Sequence, residues 1–235
     1  MFAAIAGVAV TTAIVFAFAR SRIFTPRRRA FAHPLGETAL ALLIVVSGLT
    51  LALVAALLTA RPADAVGATA RQVAISAIAV APVFAYVALV SRDRRDLGLD
   101  GDAARATLFG AVLGIGWLVA GGKAPSLAAL TGPQVAALGS FASVGFAEEI
   151  AFRGFLQPRA IAAFGPRAGI AGTALCFAIL HLPQRLLTGV ASADVAPQLV
   201  SVFVIGLVLG AVRRVAGNVV SSALLHTAID WGERL

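Results

Sequence analysis

The sequence predicts an all-α fold, a polytopic transmembrane helical bundle of about eight spans, and three observations predict it. Of 235 residues, 60% are hydrophobic and only 13% charged, and the mean hydropathy is +0.93. No soluble domain of this length needs so much apolar side chain. The apolar residues fall into eight runs, most of them near the roughly 20 residues a helix needs to cross a bilayer. Lysine and arginine then alternate in density from one break to the next, as orientation by the positive-inside rule requires.

The expected spans are 2–19, 37–60, 72–91, 105–121, 134–157, 168–187, 196–212 and 217–232. Ala17-Phe18-Ala19 resembles a signal-peptidase site, but no basic residue precedes the first run. Arg20, Arg22, Arg27, Arg28 and Arg29 follow it instead, an order that predicts a retained first span with its N-terminus outside. Pro62, Pro125, Pro133, Pro166 and Pro197 fall at or near the breaks, where a missing backbone donor costs least. The stretch 92–96, Arg-Asp-Arg-Arg-Asp, reads as a solvated loop. The connections after spans one, three, five and seven (20–36, 92–105, 153–167, 213–214) carry fourteen of the nineteen Lys/Arg. They are expected in the cytoplasm of a plasma (inner) membrane protein, with both termini outside. Gly110/Gly114 and Gly206/Gly210, each pair four apart in an apolar run, predict close helix approach.

One composition regime implies a single integral membrane domain over 1–235, with its chemistry-bearing motifs in 140–235. The net charge of +8 sits in arginines between spans, so nucleic acid is excluded as a partner. The lipid bilayer and a membrane-associated peptide or protein substrate remain. The single cysteine, Cys176, lies in an apolar run and reads as a small buried hydrophobe. His33, in the arginine-rich first connection, reads as a surface residue.

Ionisable groups within the spans are few: Glu148, Glu149, Arg153, His181, Arg185, His226 and Asp230. A charge at bilayer depth costs at least about 2.5–3.5 kcal/mol, which makes such residues functional candidates. Glu149 and Arg153 are four apart and predict a salt bridge on one helical face, while Glu148 points about 100° away and keeps its own direction. Phe177 and His181 are one turn apart, as are His226 and Asp230. Asp230 therefore either bonds His226 or points into the same cavity. Pro183 predicts a kink that frees backbone carbonyls near His181. Phe177 is expected to pack, and Arg185 to anchor the chain at the interface. One glutamate and two histidines in a membrane cavity suit two chemistries. They could deprotonate water directly, or ligate zinc with a position open for water; the sequence names no cofactor with certainty.

Glu148-Glu149-x-x-x-Arg153, Phe177-x-x-x-His181 and His226-x-x-x-Asp230, in that order on three late spans, resemble the CPBP family of CAAX-processing and bacteriocin-processing intramembrane endopeptidases. The resemblance covers about 140–235. It implies that Glu148 and His181 activate the water that attacks the scissile peptide, that His226 and the residue four further on stabilise the oxyanion, and that Glu149 with Arg153 shape the site. It also implies a membrane-presented substrate, such as a C-terminal CAAX-like tail or a leader peptide, and a site opening toward the cytoplasm. The departure is Asp230 where the best-known eukaryotic-type members often have Asn. An ionised Asp cannot donate a hydrogen bond, so it must be protonated, orient His226 or join a metal shell. The alternative readings are a catalytically silent scaffold or immunity-type partner-binding protein, and a proton-coupled carrier, against which the absence of internal repeats argues.

Overall fold

The computed structural model describes residues 2–21 and 30–235, with side chains in the first stretch described for residues 6–18. The side chains of Arg20, Arg22, Arg27, Arg28 and Arg29, which carry the expected charge of the first connection, lie outside the described residues. All regular structure among the described residues is helical: α1 (Phe2–Ser21), α2 (Pro34–Leu58), α3 (Ala65–Tyr86), α4 (Ala103–Ala120), α5 (Ala124–Ala128), α6 (Gly132–Glu149), α7 (Gln157–Leu180), α8 (Leu182–Leu187), α9 (Ser192–Ala216) and α10 (Val219–Gly232). A π turn over Val87–Ser91 extends α3, a 3-10 turn covers Arg94–Leu97, and a π segment over Ile150–Leu156 joins α6 to α7.

The ends of these helices follow from their sequence. Asp64 accepts the Gly67 N–H at 2.7 Å, Asp102 that of Arg105 at 3.0 Å, and Asn218 that of Val220 at 3.0 Å. Each side chain satisfies a donor that the first helical turn leaves open. At α6, Gln134 Oε1 accepts the Thr131 N–H at 2.9 Å and Pro133 occupies the first turn, where its missing N–H is not needed.

The packing is inside-out relative to a soluble protein. Leu43, Leu58, Val66, Leu89 and Leu108 are 67–80% exposed, whereas Asp96, Glu149, Arg153 and Arg159 are 0–1% exposed. Water would punish both arrangements; a hydrocarbon surround favours the first, and pairing makes the second tolerable. Among the described residues, 34–58, 65–91, 103–120, 132–187 and 192–216 are long and apolar enough to cross a membrane, and Ala6–Phe18 is a shorter apolar helix. Each of the eight expected spans is helical. The last, however, is a helix of only 14 residues, and spans five and six lie in one helical run.

The break between these two spans falls at Gly165, inside the expected connection at 153–167. The chain stays helical through this region and turns at Gly165, whose φ of 80° and ψ of 168° are open essentially to glycine alone. Arg153 and Arg159 are therefore interior residues rather than loop charges that set topology.

α10 is the central element, packed against α4, α6 and α9; α3 packs on α2 and α6, and α7 on α9 and α2. Small residues allow the approach. A Cβ on Gly110 would lie 2.7 Å from Ser221 Cα, and one on Gly114 would lie 3.0 Å from Ala228 Cβ, so the first glycine pair serves the α4–α10 contact. A Cβ on Gly206 would lie 3.1 Å from Ala174 Cβ, where α9 meets α7.

Because the Gly110 neighbour is backbone, Gly110→Leu must separate α4 from α10. It is expected to cost about 1–3 kcal/mol in reversible unfolding in mixed micelles, whereas Gly172→Ala, with nothing within 4 Å, should be near neutral. Equal stabilities for the two variants would contradict this packing.

Candidate active site

Three elements converge on one polar centre: the end of α6 with the π segment, the C-terminus of α7, and the middle of α10. Glu149 lies at its base. Its Oε1 is 2.8 Å from Arg153 Nη1, and both side chains are fully buried. The same oxygen is 3.2 Å from His226 Nδ1, a contact that spans 77 positions of sequence. Arg153 also donates from Nη2 to the Gly206 carbonyl at 3.2 Å, and its guanidinium lies 4.2 Å from the Phe177 ring centroid. Phe177 in turn packs edge-on against His181 (4.6 Å) and His226 (5.8 Å). It does pack, as expected, and its neighbours are the two imidazoles.

α7 ends at the site for a local reason. The His181 N–H donates to the Ala178 carbonyl at 3.1 Å, a tighter turn than the α-helical i to i−4 pattern, and α8 begins at Leu182 with Pro183 in its first turn. The Phe177 carbonyl is thereby left for the side chain, and His181 Nδ1 lies 2.7 Å from it. A carbonyl only accepts, so Nδ1 carries a proton there. In the neutral imidazole the Nε2 lone pair then faces the cavity.

Glu148 faces that cavity. Its Oε2 is 3.9 Å from His181 Nε2 and 3.8 Å from His226 Nε2. It is buried without a hydrogen-bond partner. Asp230 Oδ2 is 3.6 Å from His226 Nε2. Asp230 thus meets the cavity-facing nitrogen, and the group on the remote nitrogen of His226 is Glu149. Side-chain exposure rises from zero at Glu149 and Arg153 through 17% at Glu148 and His181 to 32% at Asp230. Exposure thus increases toward the Asp230 end.

That end is identifiable from its hydrogen bonds. Trp231 Nε1 donates to Gln134 O at 2.8 Å and Ser126 Oγ to Leu235 O at 2.9 Å. The opposite end is closed by the arginine-rich connections: Arg159 meets Asp96 at 2.7 Å, Arg213 meets Asp100 at 2.8 Å, and the Val219 N–H donates to Gly98 O at 2.9 Å. The 92–96 stretch is only partly a solvated loop, since Asp96 is fully buried. Arg159 and Arg213 were not expected in the interior; Asp96 and Asp100, four residues apart in one connection, are the only local sign of their partners. His33 is exposed and remote in role, and Cys176 is only partly buried.

Two imidazole nitrogens and two carboxylates are a donor set that suits zinc. Their separations of 3.6–3.9 Å exceed the roughly 3.3 Å between ligands on a tetrahedral zinc with bonds of about 2.0–2.1 Å. Among the described residues, no group of three or more His, Cys, Asp or Glu has the geometry to hold a metal ion. The chemistry derived below accordingly uses the chain's own groups.

Fold and site together define a helical membrane protein with a carboxylate and two imidazoles enclosed in its interior. Residues 131–232, which contain every residue of that site, match the family model described as Rce1-like, type II CAAX prenyl endopeptidase Rce1-like. This segment is therefore similar to that family, and the match bears out the resemblance carried by the three motifs. No curated protein and no solved structure matches the chain.

The Glu149–Arg153 pair sets a stability prediction. Replacing one member of a buried pair leaves the other charge uncompensated, so Arg153→Met is expected to cost about 3–5 kcal/mol. Breaking the exposed Arg95–Asp93 pair by Arg95→Ala should leave the stability nearly unchanged, because solvent screens it. Unfolding in mixed micelles measures both, and similar losses would contradict the assigned burial.

Proposed function

We propose that the chain is a single integral membrane domain over 1–235, with its catalytic core in 140–235. In this reading it is an endopeptidase that hydrolyses a peptide bond of a membrane-presented substrate by direct activation of water. The observation that carries this reading is the buried, unpaired Glu148 Oε2 set 3.8–3.9 Å from two imidazole nitrogens. That separation is too long for a direct hydrogen bond and suits a water bound to both Glu148 and His181. Glu148 takes the water's proton as the oxygen attacks the scissile carbonyl. The proton then passes to the leaving amine.

His226 Nε2 faces the same space and, when protonated, donates to the oxyanion that forms. Glu149 holds His226 by its other nitrogen and so fixes which one points at the substrate, a positioning role supported by Arg153. Asp230 acts on the cavity side of His226. In its ionised form it competes with the oxyanion for that proton; in its protonated form it adds a second donor.

Removing a general base costs about 10²–10⁴-fold in rate. Glu148→Gln preserves shape and removes the base, so it is expected to abolish processing while leaving the thermal midpoint within a few degrees of wild type. The check is a quantitative survey of membrane-peptide termini in cells carrying either form at equal abundance. Termini that depend on Glu148 identify the substrates. Identical termini overturn the protease reading in favour of a scaffold.

A further inference from the structure

The segment that matches the family begins at residue 131, yet residues 96–100, in the connection between α3 and α4, bear directly on the base of the site. Gly98 is the centre of that contact. A Cβ there would lie 2.7 Å from Gly154 Cα and 3.0 Å from Val219 Cβ, and one on Gly154 would lie 2.5 Å from the Leu97 carbonyl oxygen. Two glycines thus let two backbones touch. The φ of 74° at Gly98 is readily open to glycine and costly for other residues. Its carbonyl accepts the Val219 N–H at 2.9 Å. Gly98 is therefore wedged between the π segment, five residues past Glu149, and the start of α10, seven residues before His226. Asp96 and Asp100 hold the strap on either side, through Arg159 at 2.7 Å and Arg213 at 2.8 Å. Arg159 also donates to the Phe155 carbonyl, inside the π segment, at 2.8 Å.

We propose that Gly98 is a positioning residue for the hydrolysis: the strap of residues 96–100 sets the register of the π segment against α10, and through it the bond between Glu149 and His226. This rests on the endopeptidase reading and deepens it. A π segment is a short, uncommon departure from the α-helix, and a one-residue change of register turns a helical side chain by about 100°. Contacts that pin the segment therefore decide where Glu148 and Glu149 point. The Glu149–His226 bond is 3.2 Å long, at the outer edge of hydrogen-bond distances. A displacement of about 1 Å breaks it and leaves His226 free to turn. A misplacement of that size can cost about 10²-fold in rate. His181 is insulated from such a shift, because its Nδ1 bonds the Phe177 carbonyl of its own helix at 2.7 Å.

The chain has three histidines, so His33→Gln leaves His181 and His226 as separate reporters in nitrogen NMR of the full-length, histidine-labelled protein in phosphatidylcholine nanodiscs. Gly98→Ala is compared with Gly101→Ala. Their φ values, 74° and 75°, impose the same backbone penalty, but a Cβ on Gly101 would meet nothing closer than 3.5 Å. Gly98→Ala is expected to shift or broaden the His226 signals, to leave His181 protonated at Nδ1, and to slow processing of the Glu148-dependent termini about tenfold or more. Gly101→Ala should move neither histidine. Unmoved His226 signals in folded Gly98→Ala, equal effects of the two variants, or processing at the wild-type rate overturn the proposal. Should Gly98→Ala fail to fold, hydrogen exchange on the wild type decides. Amides of 97–100 and 150–156 are expected to open as one unit, and strap amides exchanging more than about tenfold faster than the π segment overturn the proposal. A displaced His226 in a protein whose termini do not depend on Glu148 keeps the strap's hold on the site and removes the endopeptidase reading. Glu148-dependent termini with an unmoved His226 do the reverse.

Discussion

The carboxylate of Glu149 is the interaction on which the rest of the site depends. It is fully buried, and a buried charge is tolerable only when paired and hydrogen-bonded. One of its oxygens meets both Arg153 at 2.8 Å and His226 at 3.2 Å, which ties the end of α6 to the middle of α10. Arg153 carries the constraint onward to the Gly206 carbonyl on α9 and to the face of Phe177 on α7. Four helices thus take their relative positions from one ion pair. The orientation of His226 follows from the same bond.

A second polar layer supports the first from the arginine-rich end. The connection between α3 and α4 meets α7 through Asp96–Arg159, α9 through Asp100–Arg213 and α10 through the Gly98 carbonyl. It also lies directly on the π segment, where a Cβ on Gly154 would come 2.5 Å from the Leu97 carbonyl oxygen. A π segment at such a place is a common mark of a functional region. Here it follows directly on Glu148 and Glu149 and carries Arg153. What distinguishes Glu148 is that its Oε2 faces the Nε2 atoms of both His181 and His226, which is the physical basis of the proposed hydrolysis.

Much of this arrangement was legible in the sequence. Apolar run length located the eight expected spans, because bilayer thickness sets that length, but not the short α5 and α8 or the 14-residue length of α10. The pairing of Glu149 with Arg153 followed from helical spacing, and the convergence of Glu148, His181 and His226 from the order of the motifs. Contacts between distant positions were not legible. The Glu149–His226 bond and the connection strapped across Arg159 and Arg213 depend on helix packing, which periodicity does not encode. The 153–167 region misled because arginine density reads alike for solvated loops and for charges paired inside. Its proline and glycine marked a sharp turn within a helical run rather than a loop.

The account centres on Glu149 acting at once as the counter-charge of Arg153 and the holder of His226. The most direct measurement is a double-mutant cycle between Glu149→Gln and His226→Asn, read as unfolding free energy in mixed micelles. A shared buried bond predicts a coupling above about 1 kcal/mol, whereas independent sites add to within about 0.3–0.5 kcal/mol. Strong coupling is the result expected from this geometry. Additivity would show that His226 takes its position from something other than Glu149, and the site would have to be rebuilt around that group.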